Sequence, residues 1–198
     1  MLLEVADDWF RSYIALCAFA GLRLGEASAV QVSDLRFLER SVGVHRQVQR
    51  GDSGVAIVPP KHGSERVIAA PDELLTMLAQ HIDQVGVHGA EGWLFVGDGG
   101  MPPHANTIAY WWKKTQRDAG LSGLKLHNLR HFYASGLIAA GCDVVTVQKA
   151  LGHHSATVTL NTYSHLWPKA EDRTRNAAAG LLRSATAARA DHPRTKGA

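Results

Sequence analysis

Cysteine and long apolar stretches are scarce in this 198-residue sequence. The two cysteines, Cys17 and Cys142, lie far apart within apolar, helix-like stretches and belong to no metal-binding or redox pattern. Such cysteines are typical of buried thiols in a reducing compartment. No apolar run approaches the roughly 20 residues of a membrane span, and no signal peptide is recognisable. We therefore expect a cytoplasmic protein without a membrane partner.

A general excess of positive charge is also missing, although the formal net charge is +3. From Lys169 onward the chain has seven basic and three acidic residues, which leaves fourteen basic and fifteen acidic residues before Lys169. The sequence pI near 9.0 therefore reflects the C-terminal tail. Bulk charge gives no argument for nucleic-acid binding, so any such argument depends on individual residues.

The motifs of metal hydrolases are absent as well. No H-E-x-x-H pattern occurs, and no carboxylate accompanies the histidines of the C-terminal half at ligand spacing. We therefore predict no metal ligands, and an activity insensitive to EDTA would agree with this. The histidines concerned are His127, His131, His153, His154 and His165.

Polar motifs are concentrated between residues 126 and 165. His127 with Arg130, then Gly152-His153, then Tyr163 are separated by short apolar runs with helical spacing. Arginine can bind two phosphate oxygens at once, histidine can move a proton near neutral pH, and tyrosine is a hydroxyl nucleophile. A phosphodiester under attack gains negative charge that fixed positive donors stabilise. These residue types could meet that need without a metal.

The first helix of this region is predicted from Asn128 to about Ala139, with Asn128 as its N-cap. Arg130 would then lie in the first turn, where free backbone N–H groups also attract an anion. His127 would lie just outside the helix, beside Arg130.

A second helix is predicted over residues 143–151, because its apolar side chains share one face. Gly152 is suited to end it and would leave His153 in the following turn. Ser155 can cap a third helix that carries Tyr163 near its end.

The N-terminal part combines helices with a small sheet. Residues 7–35 read as two helices, with Arg23 in their link and Glu26 in the first turn of the second. Residues 41–71 alternate in polarity and contain a hairpin signal at 51–54, which predicts a three-stranded antiparallel sheet with Lys61 at or near its second turn. Taken alone, Arg23 and Lys61 would be ordinary surface residues.

The remaining sequence is mostly helical. Helices are predicted over residues 72–85 and 104–119, with Trp111 in the core, and another around residues 177–182. The tail from about Ala190 is polar. The predicted fold class is therefore α+β, mainly helical, with a small three-stranded antiparallel sheet.

Five motifs together resemble one known family. In this order they resemble the catalytic domain of tyrosine recombinases, most closely phage and genomic-island integrases, over about residues 5–170. Each motif is weak alone, but five in register are a strong signal. The motifs are Gly21-Leu22-Arg23-Leu24-Gly25-Glu26, Pro60-Lys61 with Ser64-x-Arg66, His127-x-Leu129-Arg130-His131, Leu151-Gly152-His153, and Thr159-Leu160-Asn161-Thr162-Tyr163.

The resemblance implies a role for each matching position. Tyr163 matches the nucleophile that forms a 3′-phosphotyrosyl link and frees a 5′-hydroxyl. Arg23 and Arg130 match the arginines that hold the non-bridging phosphate oxygens, and Lys61 matches the general acid towards the 5′ oxygen.

The supporting positions follow in the same way. His127 and His153 match the phosphate donor and the proton carrier of the family. Glu26 matches a position that orients Arg23, and His131 one that braces the site. The covalent ester keeps the energy of the broken bond, so the resemblance implies neither a cofactor nor a metal.

The resemblance also implies partners and organisation. The partner would be double-stranded DNA with specific recombination sites, bound by a homotetramer whose subunits are monomers without DNA, in the bacterial or phage cytoplasm and associated with the nucleoid. Residues 1–170 would form the catalytic domain, and residues 171–198 a C-terminal helix and flexible basic tail. The usual N-terminal DNA-binding domain is expected to be absent.

Two alternatives stay open at this point. A type IB topoisomerase uses similar residues to relax DNA as a monomer, although the hairpin lysine, the Leu-Gly-His motif and the tyrosine context favour an integrase. A DNA-binding or assembly module with little activity would retain DNA weakly and form no covalent adduct.

Overall fold

The computed structural model describes residues 2–51, 54–168 and 170–190. It consists of two compact units, Met1–Thr162 and Tyr163–Ala198. Within the described residues, no helix combines the length and apolar character needed to cross a membrane. The predicted boundary near residue 170 stays a prediction, and the polar tail from residue 191 lies outside the described residues.

Helices form most of the described chain. The first unit begins with a short helix that the sequence analysis missed, and the other helices lie close to their predicted positions. The helices are α1 (Leu2–Val5), α2 (Asp8–Phe19), α3 (Leu24–Ser28), α4 (Asp72–Gln84), α5 (Ala105–Asp118), α6 (His127–Ala139), α7 (Val144–Leu151), α8 (Ala156–Tyr163) and α9 (Ala170–Ala190).

Helix α2 lies at the centre of the core. Its residues Phe10, Tyr13, Ile14 and Cys17 recur at helical spacing and are almost fully buried. Helices α4 and α6 pack against α2. Burial raises the pKa of the Cys17 thiol to about 12, with a further contribution from the Glu26 carboxylate. The predicted buried thiol is confirmed for Cys17, whereas Cys142 is partly exposed.

The strands form two small antiparallel sheets. One has the order β1 (Leu35–Arg36), β2 (Ser41–Val44), β5 (Arg66–Ala69), and the other is the hairpin of β3 (Gln47–Gly51) and β4 (Gly54–Val58). The predicted class, mainly helical with a small antiparallel sheet, is therefore confirmed.

The predicted pairing of consecutive strands was wrong in one respect, because β5 pairs with β2 and not with β4. Two prolines, Pro59 and Pro60, follow β4 and end it, since proline cannot donate to a strand ladder. In the β2–β5 register Val42 lies opposite Ile68, and both side chains are buried in the core. Burial of this pair favours the non-consecutive pairing.

Two local predictions also need correction. Helix α6 begins at His127, and Leu126 is its N-cap. The Asn128 side chain instead accepts a hydrogen bond from the Lys125 backbone N–H at 2.7 Å. In α5, Trp112 is the buried tryptophan, with its indole N–H donating to the Leu124 carbonyl at 2.8 Å, while Trp111 is only partly buried.

A glycine shapes the link between α2 and α3. Gly21 has φ +63°, in the left-handed region, and a Cβ at this position would overlap the ring of Tyr133 in α6. The chain can therefore turn tightly against α6 and continue into α3. This turn therefore determines the position of Arg23, which lies two residues later at the start of α3.

A buried ion pair links α3 to β5. The Glu26 carboxylate accepts hydrogen bonds from Arg66 Nη2 at 2.8 Å and from Arg66 Nη1 at 3.2 Å. Its side chain has no exposed surface, and that of Arg66 is 7% exposed. Burial alone would raise the pKa of Glu26, but the hydrogen bonds and charge of Arg66, followed by those of Arg23, hold it at about 2.

This pair predicts an acid-sensitive contribution to stability. The folded pKa of Glu26, about 2, lies below its ordinary value of 4.5, so the stabilisation is complete above that value and is lost as the pH falls towards 2. We expect this group to reduce the free energy of unfolding by about 2 kcal/mol between pH 6 and pH 3. Urea unfolding at the two pH values measures the change.

The control is Glu26→Gln, whose amide does not titrate. This variant should be less stable at pH 6 and should lose less stability on acidification than the original chain. Equal acid dependence of the two proteins would contradict the role assigned to this carboxylate.

Candidate functional site

Arg23 precedes α3 and is held by the carboxylate of that helix. Its Nη1 donates to Glu26 Oε1 at 2.6 Å, and its backbone N–H donates to Glu26 Oε2 at 2.9 Å. Nη1 also donates to Ser64 Oγ at 3.2 Å, and Nη2 to the Gly152 carbonyl at 3.2 Å. The side chain is 25% exposed, so Arg23 is not fully enclosed by these partners.

Arg130 lies in the first turn of α6, as predicted, and is 2% exposed. Its Nη1 donates to the Gly21 carbonyl, and its Nη2 donates to the Leu151 carbonyl. The two guanidinium groups therefore meet at adjacent carbonyls of one turn, because Arg23 binds Gly152 and Arg130 binds Leu151.

That turn ends α7 and carries His153, as predicted. Gly152 has a left-handed backbone conformation, with φ 61°. Its N–H donates to the carbonyls of Gln148 and Lys149 and so ends the helix. Asp143 caps the other end of the helix through hydrogen bonds at 2.8 and 2.9 Å to the N–H groups of Val145 and Thr146.

His153 is held in a positively charged environment. Its Nδ1 lies 2.9 Å from Thr159 Oγ1, and Thr159 is fully buried in α8. Partial burial, followed by the positive charges of Arg130 and Arg23, lowers the pKa of His153 to about 4. The imidazole is therefore neutral at pH 7.

His127 and His131 lie one turn apart on α6. Their rings form an edge-to-face contact with centroids 4.8 Å apart. Loss of solvent, followed by the charges of His131, Arg130 and Arg23, lowers the pKa of His127. A neutral imidazole can donate one hydrogen bond and accept another.

Lys61 is exposed in a short 3₁₀ turn, Lys61–Gly63, between β4 and β5. Two contacts place this turn beside the arginines and the α7 turn. Ser64, which follows it, accepts a hydrogen bond from Arg23, and the ring centroids of His62 and His154 lie 5.5 Å apart. The location near a turn was predicted, although β4 and β5 do not form a hairpin.

Tyr163 is the last residue of α8 and the first of the second unit. Its side chain is 4% exposed. The other predicted residues all belong to the first unit. There, Arg23, Glu26, Arg130 and His153 lie in one region, His127 and His131 lie on the α6 turn that carries Arg130, and Lys61 lies on an adjoining turn.

Sequence reasoning gave no role to Arg66, although this residue belongs to one of the five motifs. It shares the face of β5 with buried Ile68, and its side chain is only 7% exposed. Nε donates to the Ala150 carbonyl at 3.1 Å, in addition to the two bonds to Glu26. A strand arginine two residues after a motif serine was the only signal available.

In chemical terms, the region combines fixed positive charge with neutral imidazoles. Arg23 and Arg66 bond to the Glu26 carboxylate, and both of them and Arg130 bond to carbonyls at the end of α7. Three positive charges against one negative charge leave an excess of positive charge. Such an arrangement is suited to an anion whose negative charge increases during a reaction.

Comparison with known proteins finds integrases and tyrosine recombinases. A sequence model described as the phage integrase family matches residues 2–169. The chain is 28% identical to a tyrosine recombinase XerC-like protein from Caldanaerobacter subterraneus, over 78% of this chain and 45% of the relative. It is 27% identical to the ICEBs1 integrase of Bacillus subtilis, over 80% of this chain and 45% of that protein. The chain thus spans about half the length of these curated relatives.

Solved structures share the fold. The Tn1549 transposon integrase in complex with transposon right-end DNA has a TM-score of 0.71 and 23% identity, covering 88% of this chain and 59% of that one. The catalytic domain of bacteriophage HP1 integrase has a TM-score of 0.59 and 18% identity, covering 88% of both chains. The sequence match over residues 2–169 and the shared fold lead to one conclusion: this chain belongs to the phage integrase family.

Proposed function

We propose that the chain is the catalytic part of a site-specific DNA recombinase that cuts and rejoins strands through a 3′-phosphotyrosyl intermediate. The observation that carries the proposal is the meeting of Arg23 and Arg130 at adjacent carbonyls beside His153. Family membership supports it, as do relatives named tyrosine recombinase and integrase.

In the proposed reaction, the Tyr163 hydroxyl oxygen attacks the phosphorus of one phosphodiester. A bond forms between phosphorus and the tyrosine oxygen, and the bond from phosphorus to the 5′ oxygen breaks. The tyrosine proton passes to a base, and the departing 5′ oxygen receives a proton from an acid. A 5′-hydroxyl from another strand reverses these steps and reseals DNA without ATP.

The arginines would stabilise the negative charge that grows on the non-bridging oxygens. Arg23, whose side chain is 25% exposed, would do so while Glu26 holds its guanidinium in place. Arg130 is held by two carbonyls from different segments, so its guanidinium would need little reorganisation when the phosphate arrives. Preorganised charge of this kind needs no metal.

The remaining residues would handle protons and orientation. Lys61, on its exposed turn, would donate a proton to the departing 5′ oxygen. His153, neutral at pH 7 and bonded to Thr159, would accept or donate a proton, and His127 would donate to a phosphate oxygen. Glu26 would orient Arg23, and His131 would brace His127.

The proposed partner is double-stranded DNA carrying specific recombination sites. Support comes from a structural neighbour that was solved with transposon-end DNA. We further propose a homotetramer on DNA that forms from monomers, acting in the cytoplasm at the nucleoid. No cofactor is required, because each exchange conserves the energy of the phosphodiester.

The first prediction of the proposed reaction concerns the nucleophile. Nicked duplexes of randomised sequence can be selected for those that the chain captures covalently. The nick lets the short fragment with the 5′-hydroxyl diffuse away after cleavage, so the phosphotyrosyl ester cannot be reversed. We expect a covalent protein–DNA species on a denaturing gel, and none with Tyr163→Phe, which lacks the attacking oxygen.

Tyr110→Phe is the matched control, because Tyr110 is 65% exposed on α5. It should give the covalent species at the original rate. A Tyr163→Phe protein that still forms the adduct, or an original chain that never forms one, would contradict the proposal.

The second prediction concerns Arg130→Lys. A lysine carries a point charge and cannot bridge the Gly21 and Leu151 carbonyls while facing a phosphate. We expect single-turnover cleavage of the selected duplex to fall by about 100-fold or more, with DNA binding changed only a few-fold.

The control here is Arg36→Lys, which alters an exposed arginine paired with Glu39. It should cleave at the original rate. Cleavage by Arg130→Lys within about threefold of the original would argue against the proposed clamp.

The third prediction concerns pH. Because the pKa of His153 is lowered to about 4, this residue should stay neutral between about pH 6 and pH 8 and become protonated as the pH falls towards 4. We expect its imidazole NMR signal to titrate near pH 4, and the cleavage rate to decline in the same acidic range. A midpoint near 6.5, the ordinary value, would show that neither burial nor the neighbouring arginines lower the pKa of His153.

A further inference from the structure

We infer that Arg66 is a positioning residue that sets the spacing between Arg23 and His153. The inference rests on the proposed function and adds a residue to it. Arg66 would not touch the phosphate, since its side chain is 7% exposed and its guanidinium bonds to Glu26 and to the Ala150 carbonyl.

The first observation is a series of carbonyls at the end of α7. Ala150, Leu151 and Gly152 are consecutive, and each carbonyl accepts a hydrogen bond from a different arginine. The three donors, in the same order, are Arg66, Arg130 and Arg23.

These bonds satisfy groups that a helix leaves unpaired. The last four carbonyls of a helix have no partner within it. In α7, those of Gln148 and Lys149 accept from the N–H groups of His153 and Gly152. Those of Ala150 and Leu151 depend on arginine side chains, so Arg66 completes the end of the helix immediately before His153.

The second observation is that Arg66 and Arg23 share one carboxylate. Both Nη atoms of Arg66 donate to Glu26, and Arg23 donates to the same two oxygens through Nη1 and its backbone N–H. A movement of Arg66 would therefore move Glu26, and Glu26 fixes Arg23. One guanidinium thus joins the carboxylate that orients Arg23 to the turn that carries His153.

The third observation is steric. A Cβ on Gly152 would lie 2.8 Å from Arg66 Nη1 and 2.9 Å from Arg66 Cδ. The glycine thus allows both the left-handed turn and the close approach of this arginine. Any side chain at position 152 would therefore have to displace Arg66.

Charge provides a fourth observation. The positive charge of Arg66 contributes to the lowered pKa of His153, after burial and after Arg130 and Arg23. Arg66 therefore affects His153 both through the position of the turn and through its field.

The test compares Arg66→Met and Arg66→Lys with a matched control, Arg46→Met. Arg46 also makes an ion pair with a buried carboxylate, Asp34, at 2.6 Å, elsewhere in the first unit. Both methionine variants remove a paired guanidinium, so both should lose stability. Only the Arg66 variants should also slow DNA cleavage.

Cleavage and binding are measured separately on the selected nicked duplex, per folded molecule. We expect Arg66→Met to cleave about 100-fold more slowly and Arg66→Lys about 10-fold more slowly, with DNA affinity within about threefold of the original. Arg46→Met should cleave at the original rate despite its lower melting temperature.

NMR titration of His153 supplies a second measurement. Loss of the charge in Arg66→Met should raise the pKa of His153, whereas Arg66→Lys and Arg46→Met should leave it nearly unchanged. If Arg66→Met does not fold, Arg66→Lys decides the question through its cleavage rate.

The inference is overturned if a folded Arg66 variant cleaves within about threefold of the original, or if Arg46→Met slows cleavage equally. These outcomes are distinct from failure of the proposed function. If the proposed function fails, the original chain, with Arg66 in place, forms no covalent species with DNA.

Discussion

This site depends on the ion pairs that the Glu26 carboxylate makes with Arg23 and Arg66. The carboxylate has no exposed surface, and its hydrogen bonds with Arg23 and Arg66 come from a helix cap and a strand that are distant in sequence. A buried carboxylate is costly unless it is paired, and two neighbouring guanidinium groups repel each other unless an anion lies between them. Each group therefore makes the burial of the others possible, and the low pKa of Glu26 expresses this balance.

The end of α7 plays the complementary part. Its last carbonyls carry partial negative charge, because the peptide dipoles of a helix add along its axis. Here those carbonyls face arginines from other elements instead of solvent, and the left-handed Gly152 gives the turn its shape. The arginines are thus fixed by uncharged partners as well as by Glu26. The region keeps its excess of positive charge, which is the property that a phosphate-binding site requires.

Family membership and geometry support the proposed recombinase in different ways. The sequence match identifies the family over residues 2–169, and the solved relatives establish the fold. Neither explains why the arginines are held as they are. The contacts do so, because every guanidinium near His153 is bonded to groups from at least two segments, and such fixed donors need little reorganisation during a reaction.

The sequence by itself determined the local features of this protein. Helical periodicity placed α4 and α5 within a residue or two, and Gly152 marked the end of α7 because few other residues adopt its conformation. Tertiary structure decided what depends on distant partners. The pairing of β5 with β2 follows from burial of Val42 against Ile68, which no local pattern contains. Likewise, the partners of the buried Arg66 guanidinium are Glu26, 40 residues away in sequence, and the Ala150 carbonyl of α7, and no local pattern reveals either.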